Sequence, residues 1–158
     1  MSGHGIFRLA AETPDYAATD VSGGGAAKNG GRWNTIDTPM VYAATSLALA
    51  CLETLVHLEG PDPLPWNRYV VRLDLPADAW KQRVVFDPTE HPAWDALPAG
   101  MTSMQWGTDW ARGLSSLVAV VPSIVVPEEG CVLINPLHPD MAQVRVTVVR
   151  KWVYDRRL

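Results

Sequence analysis

VYAATSLALACLETLVH, positions 41–57, decides the fold because its apolar rhythm changes part-way through. From Pro39 to Ala44 the chain reads PMVYAA, an apolar run without helical spacing, which predicts a short buried strand. From Ser46 to Glu59 the spacing becomes helical, with Thr45 or Ser46 as N-cap and Gly60-Pro61 as the stop. At about 100° per residue, Leu47, Leu49, Cys51, Leu52, Leu55, Val56 and Leu58 share one broad arc. Glu53 falls on the edge of that arc, and His57 follows one turn later on the same side. A carboxylate there suits a solvated rim or a cleft that holds it for chemistry. A strand followed by an amphipathic helix sets the class as α/β.

Outward from this unit the mixed order continues. Gly5 to Ala10 has strand character. RYVVRLDLP alternates, Tyr69, Val71, Leu73 and Leu75 facing one way and Val70, Arg72 and Asp74 the other, as in a half-buried strand. QRVVF (82–86) predicts another short strand, 87–104 an irregular connection, and 106–116 a short helix. LVAVVPSIVVP, CVLIN and QVRVTVVRKWVYD supply three or four more strands, with a break at Pro122 because proline cannot donate to a ladder.

Composition narrows the function. The chain has 158 residues, 47% hydrophobic and 19% charged, which fits one globular domain over 1–158. A net charge of -4 and a pI near 5.5 argue against nucleic-acid binding, and so against a nuclease. No apolar run is long enough for a membrane span, and no signal peptide opens the chain, so a cytoplasmic location is expected. Cys51 and Cys131 read as small core residues. His4, His57, His91 and His138 lack metal-ligand spacing, and no metal is expected.

GGGAAKNGGRWN (23–34) packs glycine directly before a guanidinium. Arg32 follows Gly31 where a phosphate-binding P-loop needs Lys and then Ser or Thr, and no strand–loop–helix unit surrounds the glycines. Two readings stand: a mobile surface loop, or a loop that closes its amides and the Arg32 fork on a phosphate-bearing ligand.

The blocks GGRWN (30–34), VYAATSLALACLETLVH (41–57), VPS (121–123) and LINPLHP (133–139), with Arg8 in an early Phe-Arg pair, together resemble the RES-domain family. These are toxins of bacterial type II toxin–antitoxin pairs. The resemblance implies a compact fold like the ADP-ribosyltransferases, with two antiparallel sheet layers around a cleft, and NAD as the consumed substrate. It implies that ADP-ribose passes to a protein target, or to phosphate or water. Glu53, Arg32, Tyr42 and Ser123 would act in catalysis, and Arg8, Arg32, Tyr42, Ser123, Gly31, Trp33 and Asn34 would hold NAD. The implied partner is an Xre-like helix-turn-helix antitoxin that blocks the cleft in a hetero-oligomer. A non-catalytic binding domain of the same fold is the competing reading, but it has no need of the glutamate.

Overall fold

A computed structural model describes residues 3–58 and 63–158. Seven strands form one sheet in the order β4-β5-β6-β2-β1-β3-β7. They are β1 (His4–Ala11), β2 (Val41–Ala44), β3 (Arg68–Leu75), β4 (Val84–Val85), β5 (Val118–Pro122), β6 (Gly130–Ile134) and β7 (Arg145–Lys151). The helices are α1 (Gly24–Asn29), α2 (Leu47–Leu55), α3 (Ala77–Lys81) and α4 (Met101–Gly113). The α/β class follows directly.

The two layers expected from the resemblance are two groups of strands hydrogen-bonded into a single sheet. β1 pairs with β3 over eight residues, and β2 with β6 over four, but β1 and β2 register at one pair alone, Phe7 and Ala44. All neighbours run antiparallel except the two-residue β4, which lies parallel to β5. A sheet joined at one pair in its middle leaves room for a cleft where β1 and β2 separate.

The core follows the alternation. Val71, Leu73 and Leu75 of β3 are fully buried with Ile6, Val118, Val132 and Ile134. Arg72, on the other parity, pairs with Asp74 at 2.9 Å near the surface. A second cluster holds Trp33, Phe86, Trp94 and Trp110, with Trp106 packed against it. Phe86 and Trp106 each meet Trp33 edge to face, which packs the electron-poor ring edge on the electron-rich face.

Several expectations shift. Ser46 is the N-cap of α2, its side chain accepting from Leu49 N, but α2 ends at Leu55 and not at Glu59. The last turn closes on tighter i→i−3 bonds from His57 to Thr54 and from Leu58 to Leu55. The expected stop at Gly60-Pro61 lies outside the described residues. The buried face of α2 is Leu49, Ala50 and Cys51, while Leu52 and Val56 are exposed. The true face is thus turned toward Ala50 and Glu53. The strand expected at 82–86 is only Val84–Val85, because α3 takes the residues before it. Helix α4 starts at Met101, inside the stretch expected to be irregular. Pro122 ends β5, as its missing N–H requires.

Glycine serves close packing at α4. A Cβ on Gly107 would lie 1.8 Å from the carbonyl oxygen of Trp33. That is a backbone atom, so relief requires α4 to move away from the tryptophan cluster. Gly107→Ala should therefore destabilise the fold by roughly 3 kcal/mol, the upper part of the overpacking range. A urea unfolding midpoint equal to wild type would contradict this packing.

Candidate functional site

The glycine-rich stretch, read from composition as a loop, carries a short helix. Gly24–Asn29 forms the short helix α1, bounded by Gly23 and Gly30, both at φ 72. Gly31 is needed for space. A Cβ there would lie 2.8 Å from the Tyr42 hydroxyl and 2.9 Å from Asn34 Oδ1. This absence of a side chain lets Tyr42 reach across from β2. Its hydroxyl donates to Asn34 Oδ1 at 2.5 Å and accepts from Trp33 N at 3.1 Å. Asn34, fully buried, gives its amide nitrogen to the carbonyls of Ala26, Thr35 and Thr38. Trp33 and Asn34 are both buried and line neither of the cavities described below. They fix Tyr42 from behind. Burial pushes the Tyr42 phenol above its ordinary pKa, so it stays a neutral hydroxyl.

Arg32 has a different neighbourhood. Its Nη1 donates to the carbonyls of Trp94 and Ala96 at 3.0 and 2.9 Å. Burial lowers its pKa, and Glu53, Asp95 and Tyr42 oppose that shift. Arg32 is thus near enough to Glu53 to feel its charge, yet it lines neither of the two cavities described next.

Two cavities adjoin at β1 and β2, and Arg8, Ala10, Ala11 and Tyr42 line both. The larger, about 370 Å³, also contains Glu53, Thr54, His57, Arg68 and Cys131. The smaller, about 250 Å³, contains Tyr16, Asp20 and Gly23 to Ala26. Arg8 marks the junction. Its Nε is buried without a hydrogen-bond partner. Burial depresses its pKa, and the charge of Asp20 works against that shift. A buried guanidinium nitrogen left unpaired is costly, so its presence between two cavities points to an anion as a partner for the Arg8 fork.

Glu53 is held at the wall of the larger cavity. Ser123, fully buried, donates its hydroxyl to Glu53 Oε1 at 2.5 Å and accepts from the Val125 and Val126 amides at 3.1 and 3.0 Å. Those two amides consume the hydroxyl's acceptor capacity and leave its proton aimed at the carboxylate. Pro122 creates this arrangement by ending β5 one residue earlier. Cys131 adds a second donor, its thiol lying 3.4 Å from the same oxygen.

Cys131 packs against the core as expected but has a second face. Cys51 is buried, but Cys131 faces Glu53 in the cavity. Burial first, and then the Glu53 charge, push its thiol well above its ordinary pKa. It is a protonated donor, not a nucleophile. Arg68, Asp20 and Tyr16 were also missed as cavity residues. No local pattern marks them, because the topology alone brings them beside Arg8.

The RES domain family profile matches residues 6–157, nearly the whole chain. The chain belongs to the RES-domain family. It is 46% identical over 154 residues to a protein of Sphingobium sp. (strain YBL2) named Prs ADP-ribosylating toxin, covering 97% of this chain and 95% of that one. It is 38% identical over 136 residues to Toxin Res of Photorhabdus laumondii subsp. laumondii, covering 85% of each. Toxin Res of Pseudomonas putida is 35% identical over 133 residues, covering 84% of this chain and 88% of the relative.

Within this RES domain, Arg8, Tyr42 and Glu53 line the joined cavities, Ser123 stands behind Glu53 through its hydrogen bond, and Gly31, Trp33 and Asn34 support Tyr42. Among the described residues no helix is long and apolar enough to cross a membrane. Nor does any group of 3 or more His, Cys, Asp or Glu side chains gather there as a metal site.

Proposed function

We propose that this chain is a toxin that consumes NAD, breaking its nicotinamide–ribose bond and transferring ADP-ribose to a protein acceptor. The observation that carries the proposal is the buried, unpartnered Arg8 Nε at the junction of two cavities, one of which holds Glu53. A dinucleotide has the matching design: two bulky halves joined by an anionic diphosphate. Arg8 supplies a planar fork for that diphosphate.

In the reaction the C–N bond to nicotinamide breaks, and nicotinamide leaves with the electron pair. Positive charge builds on the ribose, and the fixed carboxylate of Glu53 stabilises it. The acceptor's nucleophilic atom bonds to the same ribose carbon and gives its proton to Glu53. Ser123 and Cys131 orient Oε1 for this work. Tyr42, anchored by Asn34, offers its ring to the cavity as a stacking surface. Arg32 adds a positive charge near enough to interact with the Glu53 carboxylate.

The Sphingobium relative's name supports a protein acceptor, and Prs is the first to test. The relatives named as toxins support a cognate antitoxin, which we take to be of the Xre helix-turn-helix type and to cover the cleft. The competing reading of a non-catalytic binder gains nothing from Glu53 at the wall of the larger cavity, since a binder could dispense with that glutamate.

The test is incubation of the pure protein with labelled NAD, with Prs, with whole lysate and with inorganic phosphate. Nicotinamide release with label on a protein is the expected result. Label on a phosphorylated ADP-ribose would move the acceptor to phosphate, and no release under any condition would overturn the proposal. Ser123→Ala provides a second check. It takes the acceptor from the part-buried Val125 and Val126 amides, so stability should fall by about 1 kcal/mol. Turnover should fall by roughly tenfold or more as Glu53 loses its donor. Wild-type turnover in that variant would mean that Ser123 only holds its own turn.

A further inference from the structure

The two cavities that share Arg8 carry different charges. Around Glu53 stand Arg68 and His57, whereas Asp20 is the one acidic side chain lining the smaller cavity. On the NAD reading proposed above, the placement of the substrate's halves follows. The bond that breaks must lie at Glu53, so the nicotinamide half fills the larger cavity. With the diphosphate at Arg8, the adenosine half must extend into the smaller one, beside Tyr16 and Asp20.

We infer that Asp20 selects NAD over NADP by accepting the adenosine ribose 2′-hydroxyl and repelling a 2′-phosphate. The carboxylate is preset for this. Its Oδ1 accepts from Ser22 N at 2.8 Å and from the Ser22 hydroxyl at 2.6 Å, and that hydroxyl in turn accepts from Gly24 N at 3.2 Å. This chain of bonds ties the side chain to the start of α1, on the cavity wall, and commits Oδ1 alone. Oδ2 makes no hydrogen bond to the described protein and is left for a ligand hydroxyl. The Ser22 bonds also hold the carboxyl below its ordinary pKa, so it is ionised at neutral pH.

The chemistry matches what dinucleotide sites use elsewhere, where an acidic residue takes the ribose 2′-hydroxyl and an arginine accommodates a 2′-phosphate. A 2′-phosphate brings a charge of about −1.5 to −2. Here it would meet a carboxylate, and Arg8 is already engaged by the diphosphate. Among the residues lining the smaller cavity there is no other Arg and no Lys to neutralise it.

The experiment measures kcat/KM for NAD and for NADP, by nicotinamide release, in wild type, Asp20→Asn and Asp20→Ala. Wild type should prefer NAD by roughly tenfold or more. Asp20→Asn keeps an oxygen for the Ser22 bonds and removes only the charge. Its preference should fall toward parity, mainly because NADP improves. Both substrates share the diphosphate, so any disturbance of Arg8 cancels in the ratio. If both efficiencies fall together in Asp20→Asn, Asp20 is merely structural and the inference fails. An unchanged ratio in active variants, or equal use of both nucleotides by wild type, also overturns Asp20's role while leaving the NAD reading intact. Turnover of neither by wild type would overturn the NAD reading itself, and this inference with it.

Discussion

Glu53→Gln should lower turnover by about a hundredfold or more, the cost of losing a preorganised electrostatic stabiliser. The amide is isosteric, and its oxygen can still accept at the place where Ser123 and Cys131 now donate to Oε1. Neither donor is stranded. The unfolding midpoint should therefore stay close to wild type, within the small range of substitutions that break no buried network. NAD affinity should also hold. The carboxylate's opportunity lies in the ribose cation, which forms only in the transition state, so its loss appears in the rate and not in ground-state binding. A binding titration and a rate assay on the same purified variant decide the matter. Wild-type turnover would remove Glu53 from the mechanism. Equal losses in affinity and rate would make it a substrate-holding group.

Glu53 also shows how much of the site could be read from the sequence. Its place on the shoulder of α2, one turn before His57, follows from helical spacing, and both residues do line the larger cavity. The spacing misjudged the rest of the face. Leu52 and Val56 are exposed because the packed face centres on Leu49, Ala50 and Cys51, which leaves the other half of the leucine arc outside. β3 was legible because alternation with period two survives in RYVVRLDLP. The GGGAAKN stretch was not, since glycine's freedom hides which conformation the tertiary structure selects. Only Gly23 and Gly30 use positive φ, and Gly31 is there to admit the Tyr42 hydroxyl. The cavity side of Cys131 was missed for a simpler reason. One residue type serves equally well in a core and as a thiol donor beside a carboxylate, and only the register of β6 with β2 places it next to Glu53. Local periodicity finds elements, while the residues that meet across elements depend on topology.

Arg8→Met tests the junction of the two cavities, and it should move stability and binding in opposite directions. Methionine has nearly the length of the arginine stem and no polar atom, so it can fill the same space between β1 and β2. The wild-type fold buries Arg8 Nε without a partner, and such a group costs about 1–3 kcal/mol. Removing it should raise the unfolding midpoint of the ligand-free protein. The loss of Arg8 also takes a favourable charge from Asp20. That effect is the smaller one, because Asp20 reaches solvent and keeps its Ser22 bonds. Binding should go the other way. A hydrogen bond to a charged group contributes about 1.5–3 kcal/mol, so NAD affinity should fall by roughly ten- to a hundredfold. Arg8→Lys should fall between, since it restores the charge without the planar fork. The paired measurement is thermal unfolding without ligand and a titration with NAD, repeated at two salt concentrations. The methionine variant should lose part of the wild type's salt dependence along with its affinity. A less stable variant with undiminished NAD binding would make Arg8 a structural residue, and the diphosphate would need another cation.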